Sequence, residues 1–161
     1  MSAVIIYMSR HGCAEKAAFM LRDMYWKNVT LVNLGKSLPP ALDGYDTVII
    51  GGSVHMGQIQ GKIRKFCIEN EAILLEKRLG LYLCHMREGE DAVRQFNEAF
   101  SGNLRKHAVA RALFGGEFTL EKMNKVERSL VENAGVPESI SRLNADAIEN
   151  FGKVIFHLDK S

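Results

Sequence analysis

The sequence has few of the residues that mark several common protein classes. Its 161 residues include only three cysteines, three prolines and one tryptophan. The cysteines, Cys13, Cys67 and Cys84, are odd in number and unevenly spaced, so they imply neither a disulfide framework nor a metal site. A reducing, cytoplasmic location is the simplest expectation for such a chain.

Long hydrophobic runs and an excess of one charge are also missing. No apolar stretch approaches the roughly 20 residues that cross a bilayer, and the apolar start of the chain lacks the basic stretch of a signal peptide. Basic and acidic residues number 21 and 19, for a net charge of +2, and no dense basic run occurs. We therefore expect a soluble chain without a transmembrane segment or nucleic-acid partner, although peripheral membrane contact and an anionic small ligand stay compatible.

What the chain does contain is a regular alternation of strand and helix patterns. Hydrophobic residues make up 47% and charged residues 25%, which suits one domain with a sizeable core. The compact apolar runs predict buried parallel strands, at 3–8, 29–34, 47–50, 80–84 and 107–114. Helical spacing covers 13–25, 59–76, 88–100, about 120–133 and about 144–158. The alternation predicts an α/β fold, a doubly wound parallel sheet with helices on both faces.

Three connections that follow predicted strands carry the functional signal, because ligands bind at the carboxyl ends of such strands. The first consists of Ser9, Arg10, His11, Gly12, Cys13 and Ala14. Its backbone N–H groups and the positive end of the following helix dipole favour an anion. An ordinary strand-to-helix turn is an equally good interpretation, and Cys13 is either a thiol activated by the helix or a small buried filler.

The other two connections follow the third and fourth predicted strands. One runs from Gly51 to Gly57 and carries Ser53, Val54, His55 and Met56; the other contains His85, Met86 and Arg87. Four small residues within the first of them permit close approach of a flat ligand. Glycines needed only for local turns, and histidines with a plain surface role, are the competing interpretation.

The triplet Arg10-His11-Gly12 after an apolar strand also looks like the signature of histidine phosphatases. That chemistry needs a second histidine that converges on the phosphoryl group. His107 is predicted to open a strand rather than to end one, so we give this alternative little weight.

Beyond these patterns, the chain resembles the flavodoxin-like family. The first connection is similar to the flavodoxin phosphate loop. The stretch from Tyr45 to Gly57, with Lys62 and Phe66, and the stretch from Ala112 to Phe118 resemble the branch that contains the menaquinone-dependent protoporphyrinogen dehydrogenases. The resemblance implies a five-stranded sheet of order 2-1-3-4-5 in a single domain over 1–161, with an extra helical segment at about 117–142.

The resemblance further implies FMN as the cofactor. The residues from Ser9 to Ala14 would hold its phosphate, and those from Ser53 to Gly57 and from His85 to Arg87 would flank its ring. Ala14 replaces the last threonine of the family's phosphate loop, which removes a hydroxyl contact worth about 1 kcal/mol, or up to about 3 with a charged acceptor. No aromatic residue stands in the ring-side connections, so weaker stacking is expected.

These observations predict an FMN-dependent oxidoreductase or electron-transfer protein, with a small-molecule or protein redox partner and with protoporphyrinogen dehydrogenase-like activity as one specific candidate. The alternative is a flavodoxin-like binding module with weak or no FMN. The slightly basic charge disfavours a simple electron carrier, which usually docks through an acidic face. The sequence indicates neither the substrate nor the oligomeric state.

Overall fold

Strands and helices alternate along the chain of this computed structural model, which describes residues 2–9, 12–25, 29–55, 57–85, 89–115, 117–119, 139–141 and 143–157. The strands are β1 (Ala3–Tyr7), β2 (Val29–Asn33), β3 (Thr47–His55), β4 (Gln58–Ile59), β5 (Arg78–Cys84), β6 (Ala110–Gly115), β7 (Glu117–Thr119) and β8 (Ser139–Ser141). The helices are α1 (Cys13–Met24), α2 (Gly61–Glu69), α3 (Glu71–Leu74), α4 (Gly89–Ala99), α5 (Gly102–His107) and α6 (Ala145–Ile155).

The main sheet has the order β2-β1-β3-β5-β6, and these strands are all parallel. β4 pairs antiparallel with the end of β3 and stands outside this path. When the short β4 is left out of the numbering, the five parallel strands have the predicted order 2-1-3-4-5. The predicted doubly wound α/β fold is therefore confirmed, and the antiparallel β4 is an addition to it.

Two hydrophobic cores lie on opposite faces of the sheet. In β5 the residues Leu79, Leu81 and Leu83 belong to one core, whereas Tyr82 and Cys84 belong to the other. This alternation follows from the opposite directions of successive side chains in a strand. Helices α2, α4 and α5 cover the first core, and α1 and α6 cover the second.

The third strand is longer than predicted, because it does not stop at its glycine pair but continues to His55. A Cβ on Gly51 would lie 1.9 Å from Cζ of Tyr82, and one on Gly52 would lie 2.6 Å from Cδ1 of Ile59. The two glycines therefore leave room for side chains of the protein itself. The prediction that the third strand ends at this glycine pair was wrong.

Two other element boundaries also differ from the prediction. His107 ends α5 instead of opening a strand, and its ring Nε2 lies 2.6 Å from the carbonyl oxygen of Lys77. The Ser101 side chain caps this helix by accepting a hydrogen bond of 3.2 Å from the Leu104 N–H. The long helix predicted over 59–76 is divided into α2 and α3 at Asn70.

The extra segment at 117–142 is described only at its two ends. There β7 and β8 pair antiparallel, with Phe118 opposite Ile140. The helix predicted at about 120–133 lies outside the described residues, so the helical character of this segment stays a prediction. No helix in the described part of the chain is long and apolar enough to cross a membrane.

Candidate cofactor-binding site

The connection between β1 and α1 presents an open helix start. Gly12 is the N-cap of α1 with φ 92° and ψ −9°, a left-handed conformation that favours glycine. No described side chain caps this end of α1, so the first-turn N–H groups keep their capacity to bind an anion. The hydroxyl of Ser9 is buried and has no hydrogen-bond partner among the described residues. Arg10 and His11 lie outside the described residues.

The first turn of α1 is held in place by its contacts with the hydrophobic core that α1 and α6 cover. Cys13 and Ala14 are buried there. The buried Tyr82 hydroxyl donates a hydrogen bond of 2.8 Å to the Ala14 carbonyl, and the Cys13 thiol donates to the Gly115 carbonyl at 3.8 Å. Cys13 is thus a packed filler of the helix start, which was one of the two interpretations of this thiol.

A polar cluster beside α1 was missed by the sequence analysis. The Tyr7 hydroxyl donates a hydrogen bond of 3.0 Å to Oε2 of Glu15, and the Asn33 side-chain amide donates to the same oxygen at 3.4 Å. Burial, and then the Glu15 carboxylate, raise the pKa of Tyr7 to about 12, against a smaller lowering by Arg22. The cluster holds the Glu15 carboxylate against the ends of β1 and β2. Its members are separated by 8 and 18 residues in the sequence, so no local sequence pattern predicts that they are in contact.

The second predicted connection is a β-hairpin in the structure. Val54 pairs with Ile59 and His55 pairs with Gln58, so the turn of the hairpin contains Gly57, whose φ is 83°. A Cβ on Gly57 would meet no atom within 4 Å. This hairpin, formed by the end of β3 and by β4, is called the ring-side hairpin below. Met56 lies outside the described residues.

Ser53, in the last part of β3, carries another buried hydroxyl that has no hydrogen-bond partner among the residues the structure describes. The neighbouring Cys84 is also buried, and burial followed by the effect of Cys13 raises the pKa of its thiol well above the usual range. The Ser53 hydroxyl offsets part of this rise in the pKa of Cys84, although the hydroxyl and the thiol do not meet the geometric criteria of a hydrogen bond. A buried hydroxyl without a partner is unusual in proteins, and a bound water, ion or ligand is one explanation for it.

Gln60, which the sequence analysis also missed, joins the two connections. Its side-chain oxygen accepts a hydrogen bond of 2.8 Å from the Ser53 N–H, and its side-chain NH₂ donates one of 3.0 Å to the Met8 carbonyl. The first and second predicted connections therefore lie side by side at the carboxyl edge of the sheet. No sequence signal pointed to Gln60, because one of its partners lies 52 residues away.

The third predicted connection is described only at His85. Its N–H donates to the Gly115 carbonyl at 2.8 Å, and its ring Nε2 accepts from the Gly115 N–H at 3.2 Å. Gly115 has φ 75°, so this ring braces the left-handed end of β6. Met86 and Arg87 lie outside the described residues.

Two surface clefts lie apart from these residues. One, of about 280 Å³, is lined by parts of α4 and β6 that include Val93, Phe96 and Arg111. The other, of about 310 Å³, is lined mainly by residues from Asn97 to Arg105 and by Arg64 and Cys67. Among the described residues, neither cleft is lined by one that was predicted to bind the cofactor.

The fold and this edge together define a doubly wound α/β domain with an anion-compatible helix start at the carboxyl ends of its strands. The sequence profile of the flavodoxin domain matches residues 4–134, more than half of the chain. The chain therefore belongs to the flavodoxin domain family. No curated protein sequence matches it.

Several solved structures share this fold at low sequence identity. Flavodoxin 1 from Bacillus cereus is 12% identical with a TM-score of 0.59, and the similarity covers 100% of each chain. A short-chain flavodoxin associated with a non-canonical PDU bacterial microcompartment is 13% identical with a TM-score of 0.60, over 99% of this chain and 100% of that one. The rubredoxin oxygen:oxidoreductase of Desulfovibrio gigas is 12% identical with a TM-score of 0.57, over 99% of this chain but only 37% of that enzyme.

Flavodoxin domains are FMN-binding electron-transfer domains, so family membership confirms the expectation of FMN as the cofactor. The described residues fit this group. An uncapped helix start suits its phosphate, and the unpaired hydroxyls of Ser9 and Ser53 lie on the two connections expected to surround it.

Proposed function

We propose that this chain is an FMN-dependent oxidoreductase that holds the flavin between the start of α1 and the ring-side hairpin. The observation that carries the proposal is the pair of buried, unpaired hydroxyls of Ser9 and Ser53 on these two connections. Leaving a buried hydroxyl unpaired costs about 1–3 kcal/mol. A bound ligand that accepts or donates hydrogen bonds at both places removes this cost.

In this proposal the residues from Ser9 to Ala14 hold the phosphate, and those from Ser53 to Gly57 and from His85 to Arg87 flank the ring. The residues of the chain bind the cofactor, orient it and shield it from solvent. FMN, when bound, supplies the redox chemistry. Ala14 is fully buried and offers no hydroxyl, so backbone N–H groups carry most of the phosphate contact. The redox partner is a small molecule or a protein, and protoporphyrinogen dehydrogenase-like activity is the specific candidate that the sequence resemblance implies.

The three cysteines are all free and buried, which accords with a reducing compartment, so we also propose a cytoplasmic location.

The test compares Ser9→Ala with the unchanged protein in two measurements. FMN affinity, from quenching of flavin fluorescence, should fall by roughly 10-fold because a hydrogen bond to a charged group is lost. The free energy of unfolding without FMN, from urea titration, should stay the same or rise, because the deleted hydroxyl has no partner in the part of the chain that the structure describes.

Ser101→Ala is the matched control, because its hydroxyl already caps α5. It should lower the free energy of unfolding by about 1 kcal/mol and leave FMN affinity unchanged. If the unchanged protein takes up no FMN at micromolar concentration, the oxidoreductase proposal is wrong and the binding module without flavin replaces it. A subsequent assay with protoporphyrinogen and a quinone decides the specific candidate.

A further inference from the structure

Gln60 stands between the two connections that the proposed function assigns to FMN. Its side-chain amide bonds to the Met8 carbonyl on one side and to the Ser53 N–H on the other. We propose that Gln60 is a positioning residue whose amide sets the spacing between the phosphate-binding and ring-binding parts of the site. This inference rests on the proposed FMN function.

Both bonds of Gln60 are made next to an unpaired hydroxyl. Met8 directly precedes Ser9, and Ser53 supplies both the N–H that bonds to Gln60 and a hydroxyl without a partner. One amide therefore fixes the backbone on which each of the two unpaired hydroxyls stands. A ligand that contacts both hydroxyls depends on this spacing, whereas a ligand that contacts one of them does not.

The surrounding structure holds the Gln60 side chain in this place. Ile59 is buried and pairs with Val54, so the preceding residue is anchored in the hairpin. A Cβ on Gly52 would lie 2.6 Å from Cδ1 of Ile59 and 3.0 Å from Oε1 of Gln60. The absence of a side chain at Gly52 thus makes room for both residues.

The Gln60 side chain bonds to Met8 and Ser53 instead of capping its own helix. It occupies the N-cap position of α2, yet its side chain makes no capping hydrogen bond there. The bridge needs an acceptor for an N–H and a donor for a carbonyl on the same side chain, and a primary amide provides both. A carboxylate at this position would face the Met8 carbonyl without a hydrogen to donate.

The experiment measures the affinity of three ligands for the full chain and for its Gln60→Met variant. This substitution keeps the length of the side chain but removes both of its hydrogen bonds. In the proposed site FMN contacts both parts, lumiflavin contacts only the ring-binding part, and inorganic phosphate contacts only the start of α1. We expect FMN affinity to fall by roughly 10- to 100-fold, because the two parts of the site are no longer held at the spacing that a single ligand needs. Lumiflavin and phosphate affinities should change less than about twofold, because each of these ligands contacts one part only. Fluorescence quenching measures the flavins, and the NMR shift of the Gly12 amide follows phosphate.

Gln95→Met is the matched control, because it makes the same substitution within α4, where the side-chain oxygen is buried without a partner. It should leave all three affinities unchanged. If Gln60→Met does not fold by circular dichroism, Gln60→Asn replaces it, since the shorter amide cannot span both partners.

Equal FMN affinity in the Gln60 variant and the unchanged protein would overturn the inference and leave the proposed function intact. A parallel loss for all three ligands would also overturn it, because that result indicates a general structural role. Absence of FMN binding by the unchanged protein would remove the proposed function together with the inference.

Discussion

Position 51 must be a glycine because the Tyr82 side chain packs directly against its Cα. The Tyr82 ring occupies the space that a Cβ at this position would take, at 1.9 Å from Cζ. This ring is stacked on Phe114 with centroids 4.8 Å apart, and its hydroxyl bonds to the Ala14 carbonyl. Displacement of the ring therefore disturbs the support of α1 as well as the core.

We predict that Gly51→Ala lowers the free energy of unfolding by about 2–3 kcal/mol, the upper part of the usual range for overpacked cores. Urea titration followed by circular dichroism measures the change. Gly61→Ala is the control, because no atom lies within 4 Å of its added Cβ and alanine is the better helix former. A Gly51 variant as stable as the Gly61 variant would contradict the packing argument.

The Cys67 thiol should make the stability of the folded protein depend on pH in the alkaline range. Burial, and then the Glu71 carboxylate, raise the pKa of this thiol from 9.0 to about 12. Because the folded state holds its proton more tightly than the unfolded state, this contribution to stability is complete below about pH 9 and is lost as the pH rises toward about 12.

The free energy of unfolding should accordingly fall above pH 9, with a slope of up to about 1.4 kcal/mol per pH unit from this group. Cys67→Ala removes the group, so its unfolding free energy should fall less steeply between pH 9 and 10, where the Cys84 thiol, whose pKa burial also raises, accounts for part of the slope that remains. Urea titrations at a series of pH values give the slopes. Parallel curves for the two proteins would show that the thiol does not contribute.

At the scale of elements, α6 depends on a cap that joins it to the sheet. The Asn144 side chain accepts a hydrogen bond of 3.0 Å from the Ala147 N–H, and the Asn144 N–H donates to the Phe114 carbonyl at 2.7 Å. At the other end of this helix, the Arg78 guanidinium donates to the carbonyls of Val154 and Ile155 at 2.6 and 3.0 Å. Both ends of α6 are thereby tied to main-sheet strands.

Asn144→Ala should lower the free energy of unfolding by about 1 kcal/mol, the usual value for loss of an N-cap side chain. Asn144→Asp retains the acceptor and adds a favourable charge at the helix start, so it should keep the stability of the unchanged protein. Thermal unfolding of both variants measures the difference. An alanine variant and an aspartate variant that are equally unstable would show that the backbone bond to Phe114, rather than the cap, is affected.

The elements differ in how far the sequence predicted them. β1, β5 and the centre of β3 are buried on both faces, so their apolar runs are visible without any knowledge of the fold. The extension of β3 through Gly51 and Gly52 was not visible, because it depends on Tyr82 and Ile59 filling the space beside them. His107 was misplaced for a similar reason, since α5 is a short helix that a serine cap starts.

At the scale of the whole molecule, the alternation of strands and helices predicted a parallel sheet that would bind ligands at the carboxyl ends of its strands, whereas the strand order came from the family resemblance. The bridge through Gln60 and the cluster of Tyr7, Glu15 and Asn33 were not predictable, because they join residues whose distance in the sequence says nothing about contact. The residues that were predicted to bind FMN stay a prediction until binding is measured.

The whole fold should become more stable when FMN binds, because the proposed site spans the ends of several strands and the start of α1. Stabilisation by a ligand that binds only the folded state equals about 2.7 kcal/mol when free FMN is at 100 times its dissociation constant. For a domain of this size each kcal/mol raises the midpoint temperature by about 2–4 °C. FMN should therefore raise the midpoint by roughly 5–10 °C in a thermal unfolding scan.

Riboflavin, which lacks the phosphate, separates the two halves of the site in the same measurement. If the start of α1 holds the phosphate through several charge-assisted hydrogen bonds, worth about 1.5–3 kcal/mol each, riboflavin binds at least roughly 100-fold more weakly. At the same concentration it would then stabilise the fold by only about 0.4 kcal/mol and raise the midpoint by roughly 1 °C. Equal shifts with FMN and riboflavin would show that the phosphate makes no contact with the open helix start, and the site would have to be sought on the ring side alone.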